Sequence, residues 1–259
     1  MNVRIGALTL AAAAAATALT GCGNGMGAKL TYDDTEKTRI TDIVLSGGSG
    51  DVTVTTKAIT ETHIKRVVRS DGRDPEDSYL VSGSTLTLDT TCGHDCRVSY
   101  EVEAPAGVKV RGELSSGAIA LVGVGAADVS VTSGDIRLEK IAGDVTARAS
   151  SGNIDAHALG GAASLTVTSG NVKGLELTGG KPLIAEASSG NVELHVLQPA
   201  SISARATSGN VELYVPQGDY KLQNDTGSGD FTTNLTNAPA AANLISVRVG
   251  SGNAEVMAF

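Results

Sequence analysis

The sequence predicts an all-β fold: a single-stranded, parallel β-helix-like β-solenoid of about 18–20 residues per coil, with a less regular β region at its N-terminal side. Three observations carry this reading. A phrase of Ser-Gly, then Asn, Asp or Ala, then an apolar residue begins at Ser116, Ser133, Ser151, Ser169, Ser189, Ser208, Ser228 and Ser251. The steps are 17, 18, 18, 20, 19, 20 and 23 residues. Between the phrases apolar and polar residues alternate with period two, and no helical period appears beyond residue 22. Aromatic residues make up only 3% of the chain, with no Trp and 32 Gly, so the interior is expected to be Val, Ile, Leu and Ala packed in narrow coils.

The first 22 residues read as a separate object. Arg4 gives a positive start, an Ala-rich apolar stretch follows, and Leu19-Thr20-Gly21-Cys22 closes it. The stretch is too short for a spanning helix. Its ending resembles the bacterial lipobox, which implies cleavage before Cys22 and lipid attachment to that sulfur. Two acyl chains anchor stably where one does not. Residues 1–21 are thus expected to be a lipoprotein signal peptide, 22–29 a flexible lipid-anchored tether, and 30–259 the β-solenoid domain, irregular over 30–112 and regular over 113–259. The expected location is extracytoplasmic, anchored to the cell membrane. There, Cys92 and Cys96 favour a disulfide pinning a local turn. The alternative, a metal site recruiting His94, lacks a second ligand cluster.

In the irregular part, Ser49-Gly50-Asp51-Val52 is an early copy of the phrase, and Val81-Ser82-Gly83-Ser84 is a looser one. Residues 70–78 form a polar loop with breakers. The run from Arg97 to Glu103 alternates as a half-buried strand, and Pro105-Ala106-Gly107 turns the chain into Val108.

Each regular period splits into two strands. After the corner, Ile136 and Leu138, Ile154 and Ala156, Val192 and Leu194, and Val211 and Leu213 face one way. Before it, Val129 and Val131, Ala147 and Ala149, Leu165 and Val167, and Ala204 and Ala206 do the same. Both sets are expected to face the solenoid interior. Glycines and prolines at Gly143, Gly160-Gly161, Gly179-Gly180 and Pro199 mark the opposite corner.

The phrase itself reads as a corner. Its expected turn ladder runs through Ser133-Gly134-Asp135, Ser151-Gly152-Asn153, Ser169-Gly170-Asn171, Ser189-Gly190-Asn191 and Ser208-Gly209-Asn210. Gly and Asn tolerate the sharp bend, and stacked amides can hydrogen-bond from coil to coil. A row of Ca²⁺ sites would instead favour carboxylates, and this column holds Asn in five of its eight copies and Asp in two.

On these residues, with the strand at Tyr100-Glu101-Val102 and its Pro-Ala-Gly turn, the chain resembles the bacterial candidate-adhesin family of β-solenoid domains, a domain family without an assigned function. The resemblance covers about residues 40–254 and implies surface attachment. The family brings no catalytic residues to carry over.

Chemistry is then sought on the outward strips. After the corner these hold Arg137, Glu139, Asp155, His157, Lys173, Leu175, Glu193, His195, Glu212 and Tyr214. Asp155, His157, Glu193, His195 and Tyr214 form the possible binding face. His157 and His195 lie two coils apart, about 10 Å, too far for joint metal ligation unless both lean over Leu175. On the other strip, Glu186 and Arg205 are expected to pair weakly.

No catalytic residue, metal or cofactor is expected. The charge of −8, or 19 basic against 28 acidic residues once 1–21 are removed, argues against nucleic acid as a partner. The reading is a non-enzymatic adhesin-like binding or scaffold protein, with the membrane as one partner and an unidentified surface or protein ligand as another. Self-association is open at the coil ends, where the last coil near Leu244 to Phe259 is expected to need a cap. The alternatives are a polysaccharide-acting β-helix enzyme, using Asp155 and Glu193, and an envelope signalling accessory.

Overall fold

The computed structural model describes residues 28–70, 78–92 and 96–259. The expectations on Cys22, the signal segment and most of the tether lie outside these residues, as does His94. The first strand begins at Ala28, so it takes up the last two tether positions.

The N-terminal part forms β1 (Ala28–Glu36), β2 (Asp42–Ser46), β3 (Val52–Lys57), β4 (Thr62–Ser70), β5 (Tyr79–Ser82), β6 (Thr85–Asp89) and β7 (Arg97–Pro105). The repeats form β8 (Lys109–Ser116), β9 (Ile119–Val122), β10 (Ala126–Ser133), β11 (Ile136–Glu139), β12 (Val145–Ser151), β13 (Ile154–His157), β14 (Ala163–Ser169) and β15 (Val172–Leu177). They continue with β16 (Leu183–Ser189), β17 (Val192–Val196), β18 (Ile202–Ser208) and β19 (Val211–Val215). Last come β20 (Tyr220–Ser228), β21 (Phe231–Thr233), β22 (Asn243–Ser251) and β23 (Ala254–Ala258). No helix occurs among the described residues.

Strands that follow a corner make a front sheet ordered β1-β4-β7-β3-β9-β11-β13-β15-β17-β19-β23-β21. Strands that precede one make a back sheet ordered β20-β22-β18-β16-β14-β12-β10-β8-β2-β6-β5. From β10 to β19 each coil stacks in parallel on the one before it, with equivalent residues in register: Ser133 on Ser151, Ser151 on Ser169, Ser169 on Ser189. This is the solenoid that the period predicts.

Alternation does the packing. Along β12, Val145, Ala147 and Ala149 are buried while Thr146 and Arg148 are not. Small back-sheet residues such as Ala147, Ala149, Ala185, Ala187, Ala204 and Ala206 are matched by larger front-sheet residues such as Ile136, Leu138, Ile154, Leu194 and Leu213. That division fills a thin interior. Val124, Ile141, Leu159 and Ala200 close the far corner.

The Ser-Gly corner has a clear steric cause. Gly152 has φ +145°, and a Cβ placed on it would lie 1.9 Å from the carbonyl oxygen of Gly134 in the coil below. Neither the backbone angle nor the spacing admits a side chain. Beside it runs an amide ladder. Asn153 N–H donates to Asp135 Oδ1 (2.8 Å), Asn171 N–H to Asn153 Oδ1 (3.0 Å), Asn191 N–H to Asn171 Oδ1 (2.9 Å) and Asn210 N–H to Asn191 Oδ1 (2.8 Å). Each side chain satisfies a backbone donor that the bend leaves outside the strand ladder.

Two expectations need correction. Val81-Ser82-Gly83-Ser84 is not a corner copy. It closes the antiparallel hairpin of β5 and β6, with Gly83 at φ +59° in the turn. The stack order also departs from sequence order at both ends. The coil of β6 and β7 lies outside that of β2 and β3, and the last coil, β22 and β23, slots between the coil of β18 and β19 and that of β20 and β21. The C-terminal edge is therefore β20 and β21, not the segment from Leu244 to Phe259. The reason lies in the interior columns. The last coil buries Ile245, Val247, Val249, Ala254 and Val256. In the same columns β20 presents partly buried Leu222 and Thr226 and exposed Asn224, and the exposed amide suits a terminal cap with a wet face.

At the N-terminal end β4 runs antiparallel to both β1 and β7. Its buried Arg66 lies over the Tyr32 ring (4.3 Å) and donates to Ser78 Oγ (3.2 Å). Tyr100, also buried, donates to Ser78 O (2.6 Å) and Asp89 O (3.0 Å). Cys92 and Cys96 form a disulfide, with Cα atoms 5.5 Å apart.

Candidate functional site

The outer face of the front sheet carries the most chemically varied surface of the rod. On β11, Ile136 and Leu138 point in, so Arg137 and Glu139 point out. Parallel register then extends these positions into columns. The first column runs Arg137, Asp155, Lys173, Glu193, Glu212, Glu255. The second begins Glu139, His157, Leu175 and resumes as His195, Tyr214, Met257.

A bulge in β15 separates the two halves of the second column. Gly174 pairs with Leu194 and Leu177 with Val196, so Leu175 and Glu176 together face His195. Glu176 sits in left-handed backbone at φ +53°. Lys140 and Ala158 hold the same place in their coils, at φ 55° and 56°. At Glu176 this backbone falls inside a strand and costs a non-Gly residue about 1–2 kcal/mol. It brings Glu176 Oε2 to 3.2 Å from His157 Nε2.

The structure thus keeps the two histidines apart. His157 turns to Glu176. His195 lies 3.5 Å from Glu193 Oε1 and stacks on Tyr214, with ring centroids 4.3 Å apart at 32°. Among the described residues no group of three or more His, Cys, Asp or Glu is placed to hold a metal ion. Within the first column Lys173 pairs with Glu193, its Nζ 3.0 Å from Glu193 Oε2. Lys140, bonded to Glu139 at 2.7 Å, holds that carboxyl below its ordinary pKa. Tyr214 is shifted upward, by desolvation first and then by the carboxylates of Glu212, Glu255 and Glu193.

Two shallow troughs cross this face. One, about 380 Å³, lies among Arg137, Glu139, Asp155, His157, Lys173 and Leu175. The other, about 410 Å³, lies among Asn153, Asp155, Asn171, Lys173, Asn191 and Glu193. Asp155 and Lys173 line both. Of the expected face, Asp155 and His157 fall in the first trough and Glu193 in the second, while His195 and Tyr214 stand beyond the bulge. Glu176 was not legible as a site residue. Its only trace in the sequence is the longer step of 20 from Ser169 to Ser189.

The back sheet offers a plainer surface. Glu186 and Arg205 are register neighbours, yet no ion pair joins them; the pair formed on this sheet is Arg148 with Asp128 at 3.6 Å. Both Glu186 and Arg205 remain hydrated, and an exposed contact offers too little to hold two long side chains together.

A rod of stacked coils with a polar, ion-paired face is the architecture of a repeat-type β-solenoid domain. The chain belongs to the Toastrack DUF4097 family, whose profile matches residues 26–174 and 160–256. No curated protein matches it. Among solved structures it is similar to a candidate cell-adhesion protein from Clostridium sporogenes, at 14% identity over 88% of this chain and 100% of that one, with a TM-score of 0.31. It is also similar to a candidate adhesin from Bacteroides fragilis, at 11% identity over 88% of this chain and 97% of that one, with a TM-score of 0.44.

Proposed function

We propose that this chain is a lipid-anchored, extracytoplasmic, non-enzymatic binding protein of adhesin type, and that the front-sheet face is its contact surface. The observation that carries the reading is the pair Asp155 and Lys173. They sit on adjacent coils and line two neighbouring troughs, so one rigid face offers carboxylate, ammonium, imidazole and amide groups at coil spacing, about 4.8 Å. A surface of this kind recognises an extended polar ligand by many modest contacts, and its β-sheet support keeps them in place. The location rests on the apolar leader and on Leu19-Thr20-Gly21-Cys22.

The enzyme alternative needs two cooperating carboxylates. Asp155 and Glu193 are separated by Lys173, which is bonded to Glu193, so neither faces the other across open space. Two experiments test the proposal. Fatty-acid labelling should mark the wild-type protein and not Cys22→Ala; equal membrane retention of both would remove the anchor. Asp155→Lys and Lys173→Glu, each folded by circular dichroism, should lower attachment of the purified protein to cell-envelope preparations. Unchanged attachment in both would move the contact surface elsewhere. Loss of glycan turnover in Asp155→Ala would overturn the non-enzymatic reading.

A further inference from the structure

The order of coils at the C-terminal end defines an interaction site that is independent of the front-sheet reading. The coil of β22 and β23 fills a slot between the coil of β18 and β19 and the cap coil of β20 and β21. Both walls bind it through backbone edges. Gly209 N–H donates to Ser251 O (2.9 Å), and Gly252 N–H donates to Ser228 O (3.0 Å). The amide ladder also passes through the inserted coil: Asn253 N–H donates to Asn210 Oδ1 (2.9 Å), and Asp230 N–H donates to Asn253 Oδ1 (3.0 Å).

The cap coil precedes, in sequence, the coil that it covers. Until residues 243–258 take their place, two parallel β edges face each other across an empty coil position. Such edges are templates for any strand that matches them. The matching strands are apolar inside, with Ile245, Val247 and Val249 at most 2% exposed, so the segment has a strong drive to find a slot. None of its pairings depends on which copy supplies it. The connection 234–242 contains Pro239 and the run Ala240-Ala241-Ala242. Fully extended, nine residues span about 30 Å, enough to reach from one rod end to another.

We propose that residues 243–258 form an exchangeable coil, and that two copies of this chain trade it through 234–242 into each other's slot to give an end-to-end dimer. Exchange preserves the contacts of residues 243–258 and changes only the connection, which on extending gives up the bonds from Leu222 N–H to Asn237 Oδ1 (2.9 Å) and from Ala238 N–H to Tyr220 O (2.9 Å), so concentration decides between the two forms. In the exchanged form Asn234 of one copy holds Ala258 of the other, by the same pair of bonds (3.0 and 2.7 Å) seen within one chain.

Ser208 and Ser251 are direct register neighbours across the slot wall, which gives a covalent test. Full-length Ser208→Cys and Ser251→Cys chains, both carrying Cys22→Ala, are unfolded, mixed, refolded together and oxidised. The expected product is a disulfide-linked heterodimer whose ratio to monomer rises about tenfold for a tenfold rise in protein concentration. A Ser208→Cys/Ser251→Cys double variant should close the same bond within one chain, which shows that the fold and the register are intact. Deleting Ala240, Ala241 and Ala242 should shift the wild-type chain toward dimer in light scattering. The proposal fails if the double variant closes its bond and the mixed single variants give no heterodimer. It also fails if the double variant cannot close the bond, or if a distant pair, Ser133→Cys with Ser251→Cys, cross-links equally well.

Discussion

Glu176 reaches His157 from the neighbouring coil, its carboxylate oxygen 3.2 Å from Nε2, and it does so from a left-handed backbone position inside a bulged strand. The two features oppose each other in energy. The exposed contact contributes little, whereas the backbone angle costs about 1–2 kcal/mol. Glu176→Gly should therefore melt no lower than the wild type and gain about 1 kcal/mol in chemical denaturation. Glu176→Val should lose stability, because a β-branched residue fits this backbone worst. If the Gly variant is the less stable, the contact matters more to the fold than the strain does.

The corner glycines allow a sharper test. Gly152→Ala places a methyl group 1.9 Å from Gly134 O, at a φ of +145°. The cost should be at least about 3 kcal/mol, from strain and from a coil forced off its neighbour. Urea unfolding measures it. Gly83→Ala, at φ +59° in open space, should cost less, about 1 kcal/mol.

The amide ladder has one gap. Asp51 Oδ1 accepts from Ala118 N–H (2.9 Å), and a second run starts at Asp135, but Ala118 has no side chain to pass the ladder on. Ala118→Asn should supply an acceptor for the Asp135 N–H and join the two runs. A gain of about 1 kcal/mol, or roughly 2–4 °C in Tm, is expected. A lower Tm would mean that the Asp135 donor is already satisfied by solvent at no cost.

Tyr100 links the N-terminal end to pH. Burial pushes its pKa up to about 12 from an ordinary 10. The fold thus favours the protonated phenol, whose hydrogen donates to Ser78 O and Asp89 O. The contribution is fully present below pH 10 and is lost as pH rises from 10 to 12, with about 2–3 kcal/mol at stake. Absorbance at 295 nm should show that the last tyrosine to ionise does so together with loss of β-sheet signal. In Tyr100→Phe this alkaline step should flatten, against a lower starting stability.

Much of the molecule is local in origin and so was legible from residues alone. The alternation that buries Val145, Ala147 and Ala149, the corner at Gly152 and the amide at Asn153 each depend on a few neighbouring positions and on the repeat that stacks them. The outward columns follow from the same count, which is why Asp155, His157 and Glu193 could be placed on the outer face. Glu176 escaped because a bulge depends on how two strands of unequal length are fitted together, and a longer period does not say where the extra residue goes.

The sequence by itself determined the coil: its corners, its interior faces and the residues it turns outward. Tertiary structure alone decided the order in which the coils stack. Every coil offers the same parallel backbone edge, so pairing strength does not distinguish one neighbour from another. The choice falls to the interior columns. Ile245, Val247 and Val249 have to be covered on both sides, whereas exposed Asn224 tolerates water on one. That difference places residues 243–258 inside the rod and the segment before them at its end.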